Sequence, residues 1–106
     1  MELNKYTINI DRPLCKLWVG DNRKSIVYLG YPLKLTEYEY LVLKALWDNR
    51  GQVLSPERIS EITGGKVEHI YVTYHVFGIN RKSREIGDRS IVKNIAKNGY
   101  FLNEEM

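Results

Sequence analysis

Cysteine, histidine and proline are scarce in this 106-residue sequence: one cysteine, two histidines and three prolines. A lone Cys15 makes no internal disulfide, and without a C-x-x-C pair the structural-zinc and dithiol-redox classes fall away. A chain without paired cysteines suits a reducing compartment, so a cytoplasmic location is expected. His69 and His75 are spaced poorly for one helical face, and no nucleophile–base set accompanies them. The sequence therefore reads as a non-enzyme, with no catalytic residue, metal ligand, cofactor or small-molecule substrate. Long apolar runs are also absent, so no membrane span is expected, and Met1–Asp11 has no signal-peptide pattern.

What is present is an ordinary globular composition, 43% hydrophobic and 27% charged, in a length that suits one domain over residues 1–106. The net charge is +3. It is unevenly spread. Between Arg81 and Lys97 stand Arg81, Lys82, Arg84, Arg89, Lys93 and Lys97, opposed only by Glu85 and Asp88. Such a stretch is either a solvated surface or an electrostatic footprint for nucleic acid.

Three zones follow one another. In residues 1–35, Tyr6–Ile10, Leu14–Val19, Ser25–Leu29 and Leu33–Leu35 read as four short strands of an antiparallel sheet, separated by turn compositions such as Gly20-Asp21-Asn22 and Gly30-Tyr31-Pro32. Residues 36–84 read as three helices. Thr36 and Glu39 form a capping box, flanked by Leu35 and Tyr40 as a hydrophobic staple. From Tyr40 to Trp47 only Lys44 is polar, the mark of a central, buried helix that ends at Arg50-Gly51. Ser55, Pro56 and Glu57 open a second helix, and Gly64-Gly65 reads as a turn because no phosphate-loop pattern surrounds it.

The third helix is expected over roughly Val67 to Arg84. Val72, Val76 and Ile79 make its core face, while Thr73, Phe77, Asn80, Arg81 and Arg84 share another. In residues 90–103, Ile91–Ile95 alternates, Asn98-Gly99 signals a hairpin tip and Tyr100–Leu102 returns. The expected class is α+β: a winged helix-turn-helix with an N-terminal four-stranded antiparallel sheet, three helices and a C-terminal β-hairpin wing.

In that order the residues resemble the OmpR/PhoB-type winged-helix effector domains of bacterial two-component response regulators. Gly30-Tyr31-Pro32-Leu33-Lys34-Leu35-Thr36 is similar to the family's entry to its first helix, and Thr36-x-x-Glu39-Tyr40-x-x-Leu43 to its T-x-x-E-[FY] signature. Gly51-Gln52-Val53-Leu54-Ser55 resembles the G-x-V-[LV]-S that opens the second helix. Val72-x-x-His75-Val76-x-x-Ile79 resembles the recognition helix, and Val92-x-x-Ile95-x-x-x-Gly99-Tyr100 the wing.

The resemblance implies a sequence-specific regulator of transcription that binds double-stranded DNA, with the third helix in the major groove and the wing in the minor groove. It implies phosphorelay control through a receiver domain, which drives dimerisation on tandem sites. The 106 residues hold no receiver, so a stand-alone effector or the C-terminal part of a longer regulator is expected. The residues carried over as DNA contacts are Thr73, Phe77, Asn80, Arg81 and Arg84 on the third helix, with Lys93, Asn94, Lys97 and Tyr100 on the wing. Asn80 would pair with adenine, and Phe77 would touch a thymine methyl; Lys82 would join the phosphate contacts.

The pattern is broken in three places. Phe77, Gly78 and Asn80 occupy positions where the family carries arginines, and Ala96 replaces the usual wing arginine. The loop after the second helix, which in the family often touches RNA polymerase, is shortened here to Thr63–Val67. Tyr71, Tyr74 and Phe77 support a second reading, a degenerate winged helix used as a protein–protein interaction module.

Overall fold

The computed structural model describes residues 16–95 and 97–103. The strand expected at Tyr6–Ile10, and Leu14 and Cys15 of the next, lie outside the described residues. The remaining order is β1 (Leu17–Val19), β2 (Ile26–Tyr28), β3 (Tyr31–Pro32), α1 (Glu37–Asp48), α2 (Pro56–Ile62), a 3-10 turn (His69–Tyr71), α3 (Val72–Gly87), β4 (Lys93–Ile95) and β5 (Gly99–Phe101).

β1, β2 and β3 form an antiparallel meander in which Leu17 pairs with Tyr28, Val19 with Ile26 and Tyr28 with Tyr31. Period-two alternation sends Leu17, Val19, Ile26 and Tyr28 inward and leaves Trp18 and Val27 outside. The closing strand is Tyr31–Pro32, not Leu33–Leu35 as expected. The turn is one step earlier than the Gly-Tyr-Pro composition suggests. Leu29 and Gly30 both take positive φ, at 53° and 84°, as a two-residue hairpin loop of the I′ kind requires. Leu33 and Leu35 then lie in the core outside any strand.

α1 starts where the capping box puts it. The Thr36 hydroxyl accepts from the Glu39 backbone N–H at 3.2 Å, and the Glu39 carboxylate accepts from the Thr36 N–H at 2.9 Å. Its mostly apolar surface is buried on most sides through Tyr40, Val42, Leu43, Ala45, Leu46 and Trp47. The Tyr40 hydroxyl donates to the Gly20 carbonyl at 2.9 Å and ties the helix to the sheet. α2 is capped by Ser55, whose Oγ accepts from the Arg58 N–H at 3.0 Å, with Pro56 in the first turn. Gly64 and Gly65, both at positive φ, carry the turn after it.

The third helix departs from its expected bounds at both ends. The 3-10 turn replaces its first residues, and it runs on to Gly87, where Asp88 closes it at φ 62° with its N–H on the Arg84 carbonyl. The hairpin differs at its tip. Ile95 pairs with Gly99, so three residues connect the strands and Gly99 belongs to β5. Gly99 stands at φ 129° with its α-carbon pressed against the Leu54 carbonyl, where any Cβ would collide. This close approach lets Leu54 and Tyr100 exchange backbone hydrogen bonds of 2.8 and 2.9 Å. The wing is thereby sewn to the loop before α2, through a contact that no local turn signal encodes.

Candidate nucleic-acid interface

α3 is the central element of the site. Its core stripe is the expected Val72, Val76 and Ile79, continued by Ser83, and all four are buried. Buried hydroxyls need partners. Ser83 Oγ donates to the Arg89 carbonyl at 2.8 Å and accepts from the Ile91 N–H at 3.3 Å, so it fastens the chain that leads into the wing. Sequence reasoning missed Ser83. Its position four residues beyond Ile79, on the apolar stripe, was the available signal.

The opposite face carries Tyr74, Phe77, Arg81 and Arg84. Phe77, Arg81 and Arg84 fall at i, i+4 and i+7, and Tyr74 precedes Phe77 by three, so the four share one ridge. Tyr74 is 72% exposed and Phe77 64%. Arg81 is exposed and loosely paired with Glu85 at 3.8 Å, while Arg84 donates to Ser90 Oγ at 2.7 Å. Sixteen residues give α3 a length of about 24 Å, at about 1.5 Å per residue.

Asn80, expected on adenine, is engaged within the protein. Its Nδ2 donates to the Val92 carbonyl at 3.0 Å, and its Oδ1 accepts from the Val92 N–H at 2.9 Å. That is the same two-atom edge an amide offers to adenine, so it is occupied within the protein. Val92 precedes β4 and has no ladder partner there, and Asn80 fills the place of one. Thr73 and Tyr100, expected on DNA, are likewise engaged with each other. Their hydroxyls lie 2.6 Å apart, and Tyr100 is only 6% exposed because it packs under the wing beside Leu54.

Lys82 is withdrawn from the basic surface. Its ammonium donates to Glu39 Oε1 at 2.6 Å, with the carboxylate side chain 8% exposed. Burial alone would raise the Glu39 carboxyl, but the hydrogen bond from Lys82, the Thr36 N–H and the Lys82 charge outweigh it and hold the group below its ordinary range. Gly78 explains how α1 and α3 come so close: a Cβ there would collide with Glu39 Oε2. The glycine that local propensity marks as a weak point in a helix is where the two helices meet. His75 lies beside this junction, between the rings of Tyr38 and Tyr74 at 5.7 and 5.4 Å. Burial pushes its imidazole below the ordinary value, against the opposing charge of Glu39.

On the wing, Lys93, Asn94 and Lys97 are exposed, and neither lysine has an ion pair among the described residues. Asn94 and Lys97 border a shallow cleft with Pro56 and Glu57 at the start of α2. Of the nine residues expected at the site, seven are exposed, Thr73 among them, while the side-chain hydrogen bonds of Thr73, Asn80 and Tyr100 join α3 to the wing.

No protein-family model matches the sequence, and a search of curated proteins finds no match. Solved structures do match. The DNA-binding domain of the response regulator AdeR, in complex with an intercistronic region, superposes with a TM-score of 0.72 at 19% identity, covering 88% of this chain and 98% of that one. The DNA-binding domain of CpxR from E. coli gives 0.67 at 25% identity, covering 89% and 96%. The DNA-binding domain of E. coli CadC gives 0.68 at 19% identity, covering 85% and 88%.

Proposed function

We propose that this chain, which has the winged-helix fold of OmpR/PhoB-type response-regulator DNA-binding domains, is a transcription regulator that binds double-stranded DNA. The observation that carries the reading is the ridge on α3, where Arg81 and Arg84 follow the exposed rings of Tyr74 and Phe77 on one helix face, with Lys93 and Lys97 exposed on the adjoining wing. In the proposed complex α3 occupies the major groove, about 12 Å wide and able to admit a helix. The wing reaches the neighbouring minor groove, and the four cations meet phosphates, which position a protein without reading sequence.

Function as the effector of a phosphorelay regulator in the bacterial cytoplasm belongs to the same proposal. A receiver domain or a second copy would bring two domains onto tandem sites, and RNA polymerase would be a further partner. No helix among the described residues is long and apolar enough to cross a membrane.

The test is titration of fluorescent duplexes with the protein at increasing salt. Binding at low salt that weakens as salt rises supports the proposal. Failure to bind any duplex at low salt would favour the protein–protein module, for which the exposed Tyr71 and Tyr74 speak.

A further inference from the structure

Base reading in the major groove ordinarily uses hydrogen-bonding side chains, and two that α3 would bring are already engaged within the protein. The pairing edge of Asn80 is on Val92, and the Thr73 hydroxyl is on Tyr100. Arg84 is drawn toward Ser90 and Arg81 toward Glu85, both at the C-terminal half of the helix. What the middle of the ridge still presents is Phe77, which has no polar side-chain atom, and the Tyr74 ring, which keeps one hydroxyl. Ile70, in the 3-10 turn one step before α3, extends the apolar surface and is 63% exposed.

An exposed phenylalanine followed by two cations on the same ridge calls for a partner that is anionic overall and apolar at one spot. The major groove of DNA offers one such spot, the C5 methyl of thymine, where every other base edge shows donors and acceptors. Charge complementarity selects the duplex over an apolar protein surface: Arg81 and Arg84 follow Phe77 on the same ridge, and a buried apolar interface would strand them.

We infer that Phe77, supported by Tyr74, reads thymine methyl groups, so that the preferred site is defined by where methyls stand in the groove rather than by a donor–acceptor pattern. This rests on the DNA-binding reading proposed above.

Deoxyuridine isolates the effect, because it differs from thymidine only by the methyl and pairs identically. A preferred duplex is first selected from a random pool, and each thymidine in it is then replaced singly by deoxyuridine. Affinity is expected to fall about fourfold at each contacted position, the worth of burying one methylene-sized group, and to stay level elsewhere. Phe77→Ala is expected to bind the thymidine and deoxyuridine duplexes alike, and Phe77→Leu to keep part of the discrimination. Phe77 is exposed, so neither change threatens the fold. Equal affinity of the unaltered protein for both duplexes would overturn the methyl reading and leave DNA binding standing. So would undiminished discrimination by Phe77→Ala. Absence of binding to every duplex at low salt would overturn both.

Discussion

Replacing Asn80 by alanine would leave the N–H and C=O of Val92, a residue 2% exposed, without their partners. Each orphaned buried group costs about 1–3 kcal/mol, so unfolding in urea is expected to lose about 2 kcal/mol or more. A variant as stable as the parent would remove the clamp and return the amide to base reading. Gly78 gives a prediction whose sign separates propensity from packing. Alanine in a helix interior is ordinarily better than glycine by about 0.8–1 kcal/mol, so propensity alone makes Gly78→Ala stabilising. Contact with Glu39 reverses this, because the carboxylate can move aside only by giving up Thr36 and Lys82. Gly78→Ala is expected to destabilise the parent and to stabilise a Glu39→Ala background, and a double-mutant cycle in urea measures the difference. Stabilisation in both backgrounds would show that the collision is harmless. Nothing local marked either residue. The partners of Asn80 and Gly78 are 12 and 39 positions away, and side-chain roles set by such partners are not written in a helical stripe.

At the scale of elements, the α1–α3 junction makes stability depend on pH. Both Glu39 and His75 have folded-state pKa values below their ordinary 4.5 and 6.5. For a depressed pKa the unfolded chain takes up the proton first as pH falls, so each group contributes stability above its ordinary pKa and loses it on acidification. Melting temperature is thus expected to decline in two stages, the first beginning below about pH 6.5 and the second below about 4.5. His75→Gln should remove the first stage and keep the second. A flat profile between pH 7 and 5 in the parent would contradict the assignment. Elements themselves were largely legible in the sequence, because caps, staples and periodicity act over a few residues. Thr36 with Glu39, and Ser55 with Pro56, marked helix starts that the structure keeps. The errors fall on turns. Asn98-Gly99 has the composition of a two-residue tip, yet Gly99 is glycine because Leu54 lies against it. Leu29-Gly30, which lacks such a signature, makes the tighter turn.

For the molecule as a whole, the legible part was the charge and the illegible part was how much of it is free. The sequence offers five cations on α3 and the wing for phosphate contact, but Lys82 is bound to Glu39. Four remain: Arg81, Arg84, Lys93 and Lys97. At roughly −0.9 per neutralised phosphate, the slope of log affinity against log salt is expected near −4. Arg84→Ala should flatten it by about one unit, whereas Lys82→Gln should leave it unchanged, as measured by anisotropy titrations across salt. A slope that responds to Lys82 would mean that the ion pair opens on DNA. Finally, the bonds from Asn80 to Val92, Ser83 to Arg89 and Thr73 to Tyr100 run from one helix to the hairpin and its approach. A hairpin attached only through its chain ends would have to give up conformational freedom on meeting its target. Here that freedom is surrendered at folding, so the two prongs of the proposed grip arrive already spaced and association carries little further ordering cost.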